Sequence, residues 1–168
     1  MVIQHHSHQR HRRSGGAILE LIIFMPVLLI FLTSTVEFGQ IMSGLKVVEL
    51  ASRMAAKTAA ESAQADLISG AALTAVESTA NSTLAGYGMA SCRVILEHTL
   101  GGVGTFNIGA CPCSAPVTPA LPTSASGSVR VTVCVEATEL TPDLLSTLGF
   151  TVAGKHGQQS TVLPVETP

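Results

Sequence analysis

The feature that most constrains this chain is an uncharged, strongly apolar run near its N-terminus. Residues 21–36 read LIIFMPVLLIFLTSTV, and as a helix they would be about 24 Å long. A membrane-spanning helix needs roughly 20 residues. Extending the helix back to Gly16 reaches that length, but it brings Glu20 into or beside the bilayer. The run therefore predicts a transmembrane helix over residues 16–38.

The charges on either side of the run predict the direction in which the helix crosses. Arg10, Arg12 and Arg13 precede the run, and the first basic residue after it is Lys46. Because basic residues collect at the cytoplasmic end of a membrane helix, the N-terminus is expected in the cytoplasm. The predicted topology is a single-pass protein of the inner (cytoplasmic) membrane whose head is exported to the periplasmic, extracytoplasmic side.

A secretory signal peptide has a similar basic start and apolar middle. It also needs a small-x-small cleavage site soon after the apolar run. Here the run is followed by Glu37-Phe38-Gly39-Gln40, and the next Ala-x-Ala pattern lies at residues 63–65. We therefore expect an anchor that is retained.

Glu20 is the most informative single residue in the chain. An ionised carboxylate just inside a hydrocarbon segment is costly unless it is paired. One interpretation places it in the headgroup region with Arg12 and Arg13 as loose counter-ions. The other gives it a specific partner, and the functional use of most ionisable residues within membranes favours this second interpretation.

The residues around Glu20 suggest what that partner is. The string RRSGGAILE at residues 12–20 resembles the processing site of type IV pilin-like proteins: a short basic leader, a glycine, and an apolar helix with glutamate as its fifth residue. A cut between Gly15 and Gly16 places Glu20 at that fifth position. Cleavage would create an α-amino group on Gly16, a cation that Glu20 of a neighbouring subunit could neutralise.

The longer string GGAILELIIFMPVLLIFLTSTVEFGQ resembles the N-terminal segment of TadE-like proteins, the minor pilin-like components of bacterial Tad (Flp) pilus assembly systems. The shared features are the processing glycine, the glutamate, a proline in the membrane helix (Pro26) and Glu37-Phe38-Gly39 near its outer end. Leu21 departs from the family, which usually has Phe there, and the leader is longer and richer in histidine. The resemblance implies a pseudopilin that acts in pilus assembly or secretion. Its partners would be a prepilin peptidase, other pilin-like subunits and the Tad machinery.

Two further features of the membrane segment concern its shape and its contacts. Pro26 lacks a backbone donor and is expected to kink the helix over residues 22–26. Phe24, Phe31 and Phe38 repeat every seven residues and form one stripe. That stripe either faces lipid or contacts another helix.

Beyond the membrane the helix is expected to continue as an amphipathic stem. Glu49 and Arg53, and likewise Lys57 and Glu61, have the i,i+4 spacing of helix ion pairs. A second, alanine-rich helix is predicted over residues 66–84. The apolar face of the stem is expected to comprise Val47, Leu50, Ala51, Met54 and Thr58.

After residue 88 the pattern changes from helix to strand and turn. Valine alternates with other residues over residues 128–137, which makes this segment the clearest strand. The other predicted strands cover residues 92–100, 105–108 and, as an edge strand, 151–162. A loop is predicted at 111–126 and a turn or short helix at 141–148. The predicted fold class is α+β, in four parts: a leader (1–15), a transmembrane helix (16–38), a stem with a second helix (39–88) and a small head with an antiparallel sheet (89–168).

The exported head contains all four cysteines, and an oxidising compartment allows them to form disulfides. Each disulfide would stabilise the thin, aromatic-poor core by about 2–4 kcal/mol. A bond between Cys111 and Cys113 would close a strained ring. We therefore expect the Cys-Pro-Cys loop to be joined to the strands that carry Cys92 and Cys134, with the pairing left open.

Metal, cofactor and nucleic acid are not expected as ligands. Cys-x-Cys lacks the usual zinc spacing, and the leader histidines would leave with the leader. A near P-loop at residues 149–156 has His156 in place of the magnesium-binding hydroxyl. All eleven acidic residues follow residue 13, so the body is acidic, unlike a nucleic-acid-binding domain. The leader histidines are His5, His6, His8 and His11.

Catalysis is not expected either, because the sequence has no Gly-x-Ser-x-Gly motif and no carboxylates that can be placed together in a pocket. The leading hypothesis is thus a structural protein. The alternative is an uncleaved single-pass protein whose exported head is a ligand-binding or partner-binding module. A membrane-tethered enzyme or metal protein is the weakest hypothesis.

Overall fold

The structure, a computed structural model, describes residues 14–113, 120–122 and 127–165. It confirms the predicted α+β class, with a long N-terminal helix followed by a small head of further helices and a four-stranded antiparallel sheet. In chain order the elements are α1 (Ser14–Glu61), α2 (Gln64–Ser69), α3 (Ala72–Ala85), β1 (Arg93–His98), β2 (Gly104–Gly109), β3 (Ser128–Glu136), α4 (Ala137–Leu140), a 3₁₀ turn (Ser146–Leu148) and β4 (His156–Pro164).

Helix α1 has two halves with opposite surroundings. Its large apolar side chains from Ile18 to Leu32 are all exposed, whereas the half after Gly39 packs against the head. Within the described part of the chain, α1 is the one helix long and apolar enough to cross a membrane. It fits a single-pass anchor, and it continues through Pro26 as one helix.

The ion pairs predicted along the stem are present. Glu49 accepts from Arg53 at 2.6 Å and from Lys46 at 3.1 Å, and Lys57 lies 3.7 Å from Glu61. The hydrogen bond and charge of Lys46, with the charge of Arg53, lower the pKa of Glu49 from its ordinary value. All these side chains are solvent-exposed or nearly so, which makes each pair a small contribution to stability.

The predicted apolar face of the stem is wrong at two positions. Leu50 and Met54 are 43% and 46% exposed, because the helix turns a neighbouring stripe of smaller residues towards the head. Small side chains allow α3 and the sheet to approach the α1 backbone closely. The core here is therefore filled by closely spaced elements and not by large side chains. The buried stripe consists of Val48, Ala51, Ser52, Ala55, Ala56 and Ala59.

The second predicted helix is two helices, α2 and α3, separated at Gly70. This glycine has φ = 79°, a left-handed conformation that ends α2. A Cβ at this position would lie 2.7 Å from Cδ1 of Phe106 on β2. The break thus coincides with a close contact with a strand more than thirty residues away in the chain.

The sheet has the order β2-β1-β3-β4, with every neighbouring pair antiparallel. The central strands pair Val94 with Val133 and Leu96 with Val131. Their inner face meets α1 and α3 in the main core, to which β3 contributes Val129, Val131, Val133 and Val135. Strand β4 is an edge strand, as predicted, but it covers His156–Pro164, and residues 149–155 before it are turns and irregular chain.

The opposite face of the central strands is also buried. Arg130 of β3 is 5% exposed and lies 3.1 Å from the Glu97 carboxylate of β1, and Thr132 is fully buried. Burial of a charge is tolerated when an opposite charge accompanies it. The alternation seen in β3 therefore separates two buried faces, not a buried and an exposed one.

Candidate functional site

The predicted processing site lies at the start of α1. Helix α1 begins at Ser14, so the Gly15–Gly16 peptide bond falls in its first turn. A Cβ at Gly16 would meet nothing within 4 Å, which leaves this backbone open to approach. Arg12, Arg13 and the leader histidines lie outside the described residues.

Glu20 lies one turn further along, among exposed apolar side chains. Its neighbours Ile18, Leu21 and Ile23 are about as exposed as free helix allows, at 60%, 59% and 64%. Within the described part of the chain Glu20 has no hydrogen bond or ion pair. A carboxylate at this depth in hydrocarbon needs a partner from outside its own helix.

The hydroxyl groups of Thr33 and Thr35 in the membrane segment are, by contrast, satisfied within the helix. Thr33 Oγ1 donates to the carbonyl oxygens of Leu29 and Ile30 at 2.9 and 3.0 Å, and Thr35 Oγ1 donates to that of Phe31 at 2.8 Å. Such bonds to the preceding turn make these residues acceptable in lipid. Glu20 therefore differs from these two threonines, whose polar groups are paired within the helix.

The Glu37-Phe38-Gly39 motif lies where α1 first meets the head. Glu37 is only 4% exposed, and its Oε2 has no hydrogen-bond partner among the described residues. Phe38 is 59% exposed, and a Cβ at Gly39 would meet nothing within 4 Å. The motif thus combines one buried carboxylate with an open helix surface.

Glu37 is covered by the segment that precedes β4. Together α1 and this segment form a groove of about 220 Å³, which we call the membrane-edge groove. Its walls are almost entirely apolar. The lining residues are Ser34, Glu37, Phe38 and Ile41 of α1 with Leu145, Phe150, Thr151 and Val152 of the covering segment.

The covering segment is held to α1 by contacts of the residues that directly precede it. Thr141 Oγ1 donates to Gln40 Oε1 at 2.8 Å, and Leu140 packs so closely on Gly44 that a Cβ there would lie 2.8 Å from Leu140 Cδ2. Thr151 Oγ1 donates to the Asp143 carboxylate, which closes the segment on itself. No sequence pattern assigned this segment to the anchor, because its partners lie about a hundred residues earlier.

The four cysteines gather at the outer face of the sheet. Cys92 and Cys111 form a disulfide, and Cys113 and Cys134 are buried thiols. Cys113 Sγ lies 3.8 Å from Cys111 Sγ. Burial raises the pKa of the Cys134 thiol, and a hydrogen bond with Cys113 raises it further.

Arg93 fixes the Cys-Pro-Cys loop in this position. Its guanidinium donates to the carbonyl oxygens of Cys111 and Cys113, both at 3.3 Å, and to Asn107 Oδ1 at 3.0 Å. A planar guanidinium suits several acceptors at once. The sequence predicts a role for the cysteines but not for Arg93, since nothing in the local context of Arg93 distinguishes it from a surface arginine.

His156 adds a possible metal ligand to this cluster. One of its ring nitrogens and the sulfurs of Cys92 and Cys111 lie within 4.8 Å of one another. A thiolate is the form of cysteine that ligates metal, and both sulfurs are joined to each other here. While Cys92 and Cys111 are joined in a disulfide, they crosslink the chain and provide no thiolates for metal binding.

These observations define a class of protein. In this class, the distal half of an N-terminal helix of membrane-spanning type forms part of the core of a small α+β head. Within that class, residues 15–57 match the family model of TadE-like protein. The match confirms the resemblance to TadE-like proteins over these residues. For this segment, the family suggests association with the membrane and with the pilus machinery. No curated protein and no solved structure matches the chain.

Proposed function

We propose that this chain is a minor pilin or pseudopilin of a Tad (Flp) pilus, acting in pilus assembly or secretion. Residues 16–38 anchor it in the inner membrane, with its N-terminus in the cytoplasm and its head exported. A prepilin peptidase removes the leader after Gly15. Its partners are other pilin-like subunits and the Tad assembly machinery. It acts as a structural component and not as an enzyme.

The observation that carries this proposal is the match to the TadE-like family over residues 15–57, which begins at the predicted cleavage position. The structure adds physical support at Glu20. The carboxylate lies on a bare apolar helix without a partner in the described residues. An α-amino group created at Gly16 of a neighbouring subunit has the opposite charge and arises at nearly the same membrane depth, one helical turn away.

The exposed half of α1 supports assembly through the membrane segment. Its large side chains between Ile18 and Leu32 contact nothing in the head. Lipid covers such a surface in an isolated subunit, and similar helices can replace the lipid by packing alongside. The distal half of α1 is buried in the head, so a subunit held by its anchor carries its head at a defined position.

The test is the N-terminus of the mature protein. We expect intact mass and N-terminal sequencing of the chain, produced beside its native prepilin peptidase, to show a start at Gly16. Gly15→Val should keep the leader and start at Met1. Gly39→Val is the matched control, because a Cβ at Gly39 meets nothing within 4 Å, and it should be processed like the wild type.

A wild-type product that starts at Met1 in the presence of an active peptidase would contradict the proposal. It would favour the second candidate function, an uncleaved membrane protein whose head binds a ligand or partner. The specific observation behind that candidate is the membrane-edge groove with its buried Glu37.

A further inference from the structure

We propose that the membrane-edge groove binds the ammonium headgroup of a phospholipid of the ethanolamine class, with the Glu37 carboxylate as the acceptor. The proposal depends on the chain being anchored in a membrane. It depends neither on removal of the leader nor on a role in a pilus, so the two can fail separately.

The charge of the residues around the groove favours a cation as its occupant. Glu37 is 4% exposed, and its Oε2 has no hydrogen-bond partner within the described chain. None of the residues that line the groove is basic. Asp143, which accepts from the lining residue Thr151, has a buried Oδ1 that also lacks a partner in the described part. A buried carboxylate in apolar surroundings calls for a cation, and these walls supply none.

The depth of Glu37 in the membrane favours a lipid headgroup as the source of that cation. Residues 18–36, which are apolar apart from Glu20 and the hydroxyl residues 33–35, precede Glu37 directly. As a helix they would span about 28 Å, close to the roughly 30 Å thickness of a hydrocarbon core. Glu37 therefore lies at the level of the outer headgroups. At that level an ammonium headgroup is present at high local concentration, with its acyl chains directed along the exposed face of α1.

The size of the groove and the chemistry of its walls fit an ammonium headgroup. The groove, at about 220 Å³, has the size of a headgroup and its adjoining carbons, not of a partner helix. Phe38 and Phe150 at its rim are 59% and 68% exposed. Aromatic faces attract ammonium groups, and Phe31, 75% exposed on the membrane side, extends the apolar surface for an acyl chain.

The test is lipid selectivity of the full-length protein, measured by native mass spectrometry from detergent. The probes are phosphatidylethanolamine and phosphatidylglycerol with identical acyl chains. We expect the wild type to favour phosphatidylethanolamine by about fivefold, which corresponds to about 1 kcal/mol of binding free energy. Glu37→Gln should abolish this preference. Glu139→Gln removes an exposed carboxylate of α4 that does not line the groove, and it should retain the preference.

A second variant guards against loss of folding in Glu37→Gln. Val152→Arg places a cation in the groove itself and should abolish the preference while the Cys92–Cys111 disulfide and the far-ultraviolet circular dichroism stay unchanged. Equal binding of both lipids by the wild type, or full selectivity in Glu37→Gln, would overturn the proposal. So would a photocrosslinker at position 150 that labels another protein chain in cells in place of lipid.

Discussion

The buried cysteines show how a single side chain depends on its surroundings. Cys134 and Cys113 share a hydrogen bond, and burial raises the pKa of Cys134 so that it stays protonated at neutral pH. Cys134 is therefore an inert group until another sulfur reacts with its neighbour. In the reducing cytosol both residues should stay thiols beside the Cys92–Cys111 pair.

We predict a second disulfide, between Cys113 and Cys134, in the exported protein. The two thiols lose two protons and two electrons to a disulfide oxidant of that compartment, and the Sγ–Sγ bond forms. Alkylation of the denatured, unreduced protein should then add no alkyl group, whereas Cys134→Ala should gain one, at Cys113. Intact mass measures both. Two added groups on the exported wild type would show that Cys113 and Cys134 remain free.

At the scale of the element, Gly70 separates α2 from α3 for two physical reasons. Its φ of 79° is strained for a residue with a side chain, and Phe106 occupies the space that a Cβ would need. Gly154 has nearly the same φ, 72°, but nothing lies within 4 Å of its Cβ position. Substitutions at Gly70 and Gly154 therefore distinguish the cost of backbone strain from the cost of a packing clash.

Gly154→Ala is expected to lower the free energy of unfolding by about 1–2 kcal/mol, from its left-handed backbone alone. Gly70→Ala should cost about 1–3 kcal/mol more, because the Phe106 ring must move. Denaturant unfolding of the two variants, compared with the wild type, gives both differences. Equal losses would mean that Phe106 yields without cost and that only the backbone conformation breaks the helix.

At the scale of the whole molecule, α1 is both anchor and core element. Its membrane half contributes nothing to the core of the head, and its stem half fills the space between α3 and the inner face of β3 and β4. Ser52 Oγ even bonds to Thr161 Oγ1 of the edge strand at 2.8 Å. The boundary between anchor and head therefore falls within one continuous helix.

This division predicts the outcome of two truncations. A chain without residues 1–38 keeps the whole buried stripe of the stem and should be soluble, helical and cooperative in thermal unfolding. A chain without residues 1–61 loses that stripe, exposes the valines of β3, and should aggregate. Size-exclusion chromatography and circular dichroism distinguish the two. Cooperative unfolding of the shorter chain at an unchanged Tm would contradict the role given to the stem.

The sequence by itself determined the features that depend on local periodicity. An uninterrupted apolar run predicts a membrane helix, i,i+4 charge spacing predicts the stem ion pairs, and valine alternation predicts β3, because each pattern matches the geometry of one element. The TadE-like resemblance also needed only residues that are neighbours in the chain. These predictions required no knowledge of what the elements pack against.

Only the tertiary structure decided which surfaces meet. It turned Leu50 and Met54 outwards, broke the second helix at Gly70, buried Arg130 with Glu97, and placed residues 145–152 over Glu37. Each outcome depends on contacts between segments that are far apart in the chain. Local sequence patterns carry no information about such contacts. Which of several similar apolar faces is buried depends on how closely that face fits the surface of its partner element.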